Sequence, residues 1–221
     1  MNKKVFQGTL VCLLLLGFQG SLGAQGITSL QEAKKNAEAS PEDYSIWENY
    51  GRLVHDAVLM GDSVQARDSI DLWTEIYRKF PRPIARAYLG SSWNLLARDS
   101  ENVLEKIDGV QKALEELDRA VEEDPEDLVV RRIRYQNCMG LPDMFNRDQT
   151  ADQDLDFLLI RYKKDPKIFD NLYDPAHIFL TKAQLLRKKN SINLSLGLAR
   201  TALKIAQDPS VKKEIEIFLE M

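Results

Sequence analysis

Val110-Gln-Lys-Ala113-Leu114-Glu-Glu-Leu117-Asp-Arg-Ala120-Val121-Glu-Glu-Asp124-Pro125 is the stretch that decides the fold. Leu114, Leu117 and Val121 stand 11, 8 and 4 residues before the proline. Offsets of three and four place them on one face of a helix, and a proline then stops the helix. The same arrangement precedes four other prolines. Leu30, Ala33 and Ala37 lead to Pro41, and Ile70, Trp73 and Tyr77 lead to Pro81. Leu155, Leu158 and Tyr162 lead to Pro166, and Leu198, Thr201 and Ile205 lead to Pro209. The intervals between these prolines are 40, 44, 41 and 43 residues. A helix with the same buried face therefore recurs, as expected of stacked helical repeats in which each unit buries its apolar side against the next.

Apolar residues recur at three and four throughout and do not alternate, so the pattern predicts an all-α chain of about ten helices. The expected spans are 27–39, 41–60, a third ending at Phe80, 83–98, 103–124, 127–139, 148–164, 176–189, 191–207 and a last helix after Pro209. Asp precedes proline at 124, 165, 174 and 208. A residue before proline is pushed out of the helical region, so helices are expected to end there.

The N-terminus reads as a targeting segment. Lys3 and Lys4 precede the apolar run Val11–Leu16, and Ser21-Leu-Gly-Ala24 ends in small residues, which predicts a signal peptide cleaved after Ala24. Apolar residues continue beyond Cys12, which argues against lipidation at that cysteine. The expected product is a single domain, residues 25–221, periplasmic or secreted and without stable membrane insertion. Its 197 residues carry a formal charge of −6, which argues against nucleic-acid binding. Its only cysteine is Cys138, so no internal disulfide can form.

The third unit resembles a tetratricopeptide repeat (TPR). Its first helix carries Leu89-Gly90-x-x-Trp93, and its second carries Ala113-x-x-x-Leu117-x-x-Ala120 before Pro125. Gly90 and Ala120 would let two helices approach closely, with Trp93 and Leu117 filling the space beside them. Trp47, Tyr50 and Gly51 repeat the first-helix pattern one unit earlier. The period exceeds the family's 34 residues, and 11 residues more than the family spacing separate Gly90 from Ala113. The resemblance implies a right-handed superhelix of stacked antiparallel helix pairs whose first helices line the concave surface. It also implies an adaptor or scaffold that binds a protein or peptide there. A few secreted members assist substrate-binding transport systems, which gives a small-molecule accessory as the alternative.

Catalytic patterns are missing from the sequence. His55 and His177 are far apart, and neither a phosphate-binding glycine loop nor a nucleophile elbow occurs. No enzyme, cofactor or metal is expected. Asp152, Asp154 and Asp156 alternate like a calcium loop but lack its glycine and glutamate, so they read as an acidic helix start. Asn193-Leu194-Ser195 fits a glycosylation sequon, which the lysine-led signal makes unimportant.

The candidate partner-binding residues are Tyr88, Arg86 and Asn94 in one first helix and Arg131, Arg134 and Tyr135 in the next. Tyr88 is placed off the main packing face, with Arg82, Arg86, Asn94 and Arg98 extending the same side. Resemblance to the family puts Arg131 and Arg134 at positions that pack inward. An unpaired buried arginine is costly, so each should meet Asp118, Glu122 or the Asp152–Asp156 cluster, or else reach an anionic group in a groove.

Overall fold

The computed structural model describes residues 24–61, 64–170 and 172–221. The export signal read in residues 1–24 lies, apart from Ala24, outside the described residues. Contacts gather the described chain into two compact units, residues 24–134 and 135–221. Among the described residues there are ten α-helices and no strand, and no helix is long and apolar enough to cross a membrane.

The first unit contains α1 (Ala24–Ala39), α2 (Tyr44–Met60), α3 (Ala66–Lys79), α4 (Pro83–Asp99), α5 (Val103–Glu123) and the beginning of α6 (Leu128–Met139). Most of these helices start where a side chain or a proline suits a helix N-terminus. The Asp43 carboxylate accepts the Ser45 amide at 2.9 Å. Asn102 accepts the Leu104 amide at 2.9 Å, and Asp127 accepts those of Val129 and Val130 at 2.7 and 3.0 Å. Pro83 occupies the first turn of α4, where no intrahelical donor is lost. Gly61, at φ 77°, ends α2 in the left-handed region that glycine enters without strain.

Packing in this unit repeats one contact. Gly51 of α2 faces Trp73 of α3, and a Cβ there would stand 2.8 Å from both the indole and Ile76 Cδ1. Gly90 of α4 faces Leu117 of α5, and a Cβ there would stand 2.8 Å from Leu117 Cγ and 2.9 Å from the Ala113 carbonyl oxygen. Trp73 and Leu117 are the same column of the repeat, eight residues before a proline, and both are fully buried. The added residues between Gly90 and Ala113 mostly lengthen α5 at its start. There Gly109 meets Ala97 and the Trp93 carbonyl, so the insertion extends the α4–α5 contact as helix.

The second unit holds the end of α6, a 3-10 turn at Asp143–Phe145, α7 (Asp148–Lys164), a second 3-10 turn at Pro166–Phe169, α8 (Ala176–Lys188), α9 (Ile192–Ile205) and α10 (Pro209–Glu220). Two features depart from the sequence reading. Asp124 and Asp165 do end helices, but Asp174 and Asp208 begin them. Asp174 accepts the Ala176 amide at 2.9 Å and, through its other oxygen, the amides of Gln207 and Asp208 at 2.8 and 3.0 Å. It ties the start of α8 to the α9–α10 turn. Pro209 likewise opens α10, whereas the other four prolines of the series follow a helix. The buried face of α9 is consequently displaced by one residue, to Ser195, Ala199 and Ala202, while Thr201 is exposed.

The alternating aspartates of α7 meet lysines of α8. Lys182, 8% exposed, donates to Asp152 at 2.6 Å and Asp156 at 2.5 Å, and Lys189 donates to Asp152 at 3.0 Å. The acidic start of α7 is thus half of an interhelical ionic seam. Val211, Ile215 and Phe218 of α10 are buried, and Arg187 of α8 lies 3.9 Å over the Phe218 ring while donating to its carbonyl at 3.0 Å. The last helix therefore folds back onto the α8–α9 pair.

Replacing Gly90 by alanine is expected to lower stability by about 1–3 kcal/mol, because overpacking at backbone outweighs the ~1 kcal/mol gain in helix propensity. Urea unfolding with an unchanged m-value checks this. The ionic seam sets a pH window. Burial opposes ionisation of Asp152, but hydrogen bonds from Lys182 and Lys189 outweigh it and hold the carboxyl below its usual 3.8. Burial also lowers Lys182, yet its two aspartates raise it above 10.5. Their stabilisation should be present between these values, fade as pH falls below 3.8, and fade again as pH rises above 10.5. Thermal melts of Lys182→Met beside the parent protein should show a difference that narrows at both extremes.

Candidate functional site

The six sequence-chosen residues occupy separate environments. Tyr88 is a core residue, 7% exposed, and its ring stacks on Trp73 with centroids 4.6 Å apart and 7° between planes. The position just before the Leu89-Gly90 pair faces inward here, because α4 packs against α2, α3 and α5 and has little free surface. Tyr135 is also buried, at 1% exposure, and belongs to the second unit. Asn94 is half-buried on α4.

Each of the sequence-chosen arginines is engaged. Arg86 reaches Glu116 of α5 at 2.7 Å and Glu123 at 2.8 Å, and donates to the Tyr77 hydroxyl at 2.5 Å. Its guanidinium also covers the Tyr77 ring at 4.3 Å. One planar cation thereby joins α3, α4 and α5. Arg98 donates to the Leu59 and Val58 carbonyls at 3.1 and 2.9 Å, supplying partners to the carbonyl end of α2. Arg82 lies 4.2 Å over the Tyr44 ring. Arg134, 9% exposed, pairs with Asp118 at 3.1 Å, and Arg131 Nε donates to the Pro125 carbonyl at 2.9 Å. Asp118, one of the expected carboxylates, holds the buried arginine.

A different set of charges meets at the first-helix face. Burial pushes the Tyr88 phenol above its usual range; Arg52 and Arg132 pull it down, and Asp56 and Glu48 push it up. Glu48, Arg52 and Asp56 stand four residues apart along α2, and Arg132 comes from α6. Charged side chains of two other first helices, α2 and α6, thus act on this one buried tyrosine. The i, i+4, i+8 spacing of Glu48, Arg52 and Asp56 was readable as a solvated stripe. Its convergence with Arg132 on Tyr88 depends on helix stacking.

Close by, His55 Nε2 lies 2.9 Å from Ser91 Oγ, and His55 Nδ1 lies 3.4 Å from Asp56 Oδ1. The three side chains have the order of a hydrolase triad. Ser91 and His55 are only 8% and 5% exposed, and Ser91 sits mid-helix, where neighbouring amides are committed to the helix and cannot form an oxyanion hole. The arrangement serves as a buried hydrogen bond between α2 and α4. Among the described residues no group of three or more His, Cys, Asp or Glu could hold a metal.

Replacing Arg86 by methionine should cost about 1–3 kcal/mol, since Glu116 and Glu123 lose their shared cation. Tyr77→Phe should cost about 1 kcal/mol or less. Denaturant titration of both variants checks the order.

No protein-family model matches the chain, and no curated protein matches it in sequence. Solved structures do resemble it. A thermophilic TPR protein of Thermus thermophilus superposes with a TM-score of 0.68 at 16% identity, over 89% of this chain and 92% of that one. YrrB, a TPR protein described as having an unusual peptide-binding site, gives 0.46 at 17% identity over 87% and 84% of the two chains. Together with the repeated glycine contacts of α2–α3 and α4–α5, the first likeness shows that the fold is a TPR-like helical repeat.

Proposed function

We propose that this chain is an exported interaction module or scaffold that binds a protein or peptide partner along the first-helix face of residues 24–134. The observation that carries this reading is the stripe of opposite charges Glu48, Arg52 and Asp56 along α2, of which the Arg52 and Asp56 side chains are more than half exposed, with Arg132 of α6 acting on the same Tyr88. Opposite charges displayed by stacked helices offer register and specificity to an extended or helical partner, more than bulk affinity. Export rests on the order of charge, apolar run and small residues in 1–24.

The small-molecule alternative asks for arginines and tyrosines converging on a deep cavity. Arg134 is instead paired with Asp118, and an open recess of about 420 Å³ is lined by α1 and α2 residues such as Asn36, Ser45 and Asn49. This favours the protein-partner reading.

A photo-crosslinking residue at Arg52 or Arg132 should capture a discrete partner in cells, while the same residue at Glu115 or Arg119 on α5 should not. Equal capture from both faces, or none from the first-helix positions, would overturn the assignment.

A further inference from the structure

The outer face of α10 carries a charge order that none of its own neighbours uses. Val211, Ile215 and Phe218 point into the second unit. Lys213, Glu216, Ile217 and Glu220 fall on the opposite side of the helix, where all four are exposed and Ile217 is 52% exposed. No ion pair involves Lys213, Glu216 or Glu220 among the described residues. Lys213 and Glu220 are two turns apart, about 10 Å along the axis.

We propose that this face binds a second copy of the chain, α10 against α10 in antiparallel two-fold pairing. The proposal is independent of the first-helix site. A two-fold interface must be self-complementary. With the two-fold axis passing midway between residues 216 and 217, Lys213 of one copy lies opposite Glu220 of the other, and the pairing occurs twice. Ile217 meets its own copy on one flank, which removes an exposed aliphatic side chain from water. The Glu216 pair stays on the opposite, solvated flank. Parallel pairing would set Lys213 against Lys213 and Glu220 against Glu220, so the charge order selects the antiparallel arrangement. Two twelve-residue helices cover less than the ~1,600 Å² of a standard interface, so the association is of the weak kind.

Sedimentation velocity of the protein, from about 10 μM to about 1 mM, should show a concentration-dependent rise from monomer to dimer mass. Lys213→Glu and Glu220→Lys should each weaken dimerisation roughly tenfold or more, because each creates two like-charge contacts per dimer. The double variant K213E/E220K should recover to within about threefold of the parent, since the pairs re-form with signs exchanged. Circular dichroism of every variant should match the parent, as the substituted positions are exposed. A parent protein that stays monomeric throughout overturns the proposal. So do single variants that dimerise like the parent, or a double variant no better than the singles.

Discussion

The contact on which the first unit depends is the absence of a side chain at Gly51 and Gly90. At each, the backbone of a first helix comes so close to the second that a single methyl group would stand 2.8 Å from a buried side chain. Trp73 and Leu117 occupy the space this leaves, and both are fully buried. Interiors packed at crystal density do not yield easily to an added carbon, so these points fix the distance and register of each helix pair. The Trp73 ring then lies flat on Tyr88, which carries the α2–α3 pair onto α4. The core of residues 24–134 grows from these two close approaches.

Arginines in this protein show how desolvation chooses between structure and binding. Arg86, Arg98 and Arg134 sit where their stems are covered, and each finds carboxylates, carbonyls or an aromatic face within the fold. A guanidinium with its stem buried and its donors unmatched would cost several kcal/mol, so stacking helices brings acceptors to it. Arg52 lies on the solvent side of α2, where the side chain is about half exposed and the Glu48 carboxylate is 4.0 Å away. A loosely held surface charge of that kind is the sort that can exchange partners.

The second unit relies on polar ties as well as packing. The buried Lys182 ammonium joins α7 to α8, Asp174 joins the start of α8 to the α9–α10 turn, and Arg187 fastens α10. Small residues face inward on α9, where Ser195 donates its hydroxyl to the Ala183 carbonyl at 2.7 Å and so spends the sequon's serine inside the α8–α9 contact. Thr201 shows why a proline-aligned column is not always a packing column. Pro209 serves α10 instead of closing α9, so the distance from proline no longer reports which face is buried.

The amino-acid sequence by itself determined the helices, most of their ends and the columns they bury, because periodicity, capping and proline act within a turn or two of chain. It placed α7 at 148–164 and the recurring face at Ile70, Trp73, Leu117 and Leu158, as observed. The close approach at Gly90 was also legible, although the spacing set Ala120 opposite it and the structure sets Leu117 and Ala113 there. What only the tertiary structure decided is which polar side chains are spent on packing. Tyr88 and Tyr135 looked available and are buried, Arg86 looked like a groove residue and clamps three helices, and Gly109 gave no signal. Arg52 and Arg132, eighty residues apart, both act on the Tyr88 phenol. Such a convergence depends on how helices stack, and stacking is fixed by the sum of long-range contacts, which no local pattern encodes.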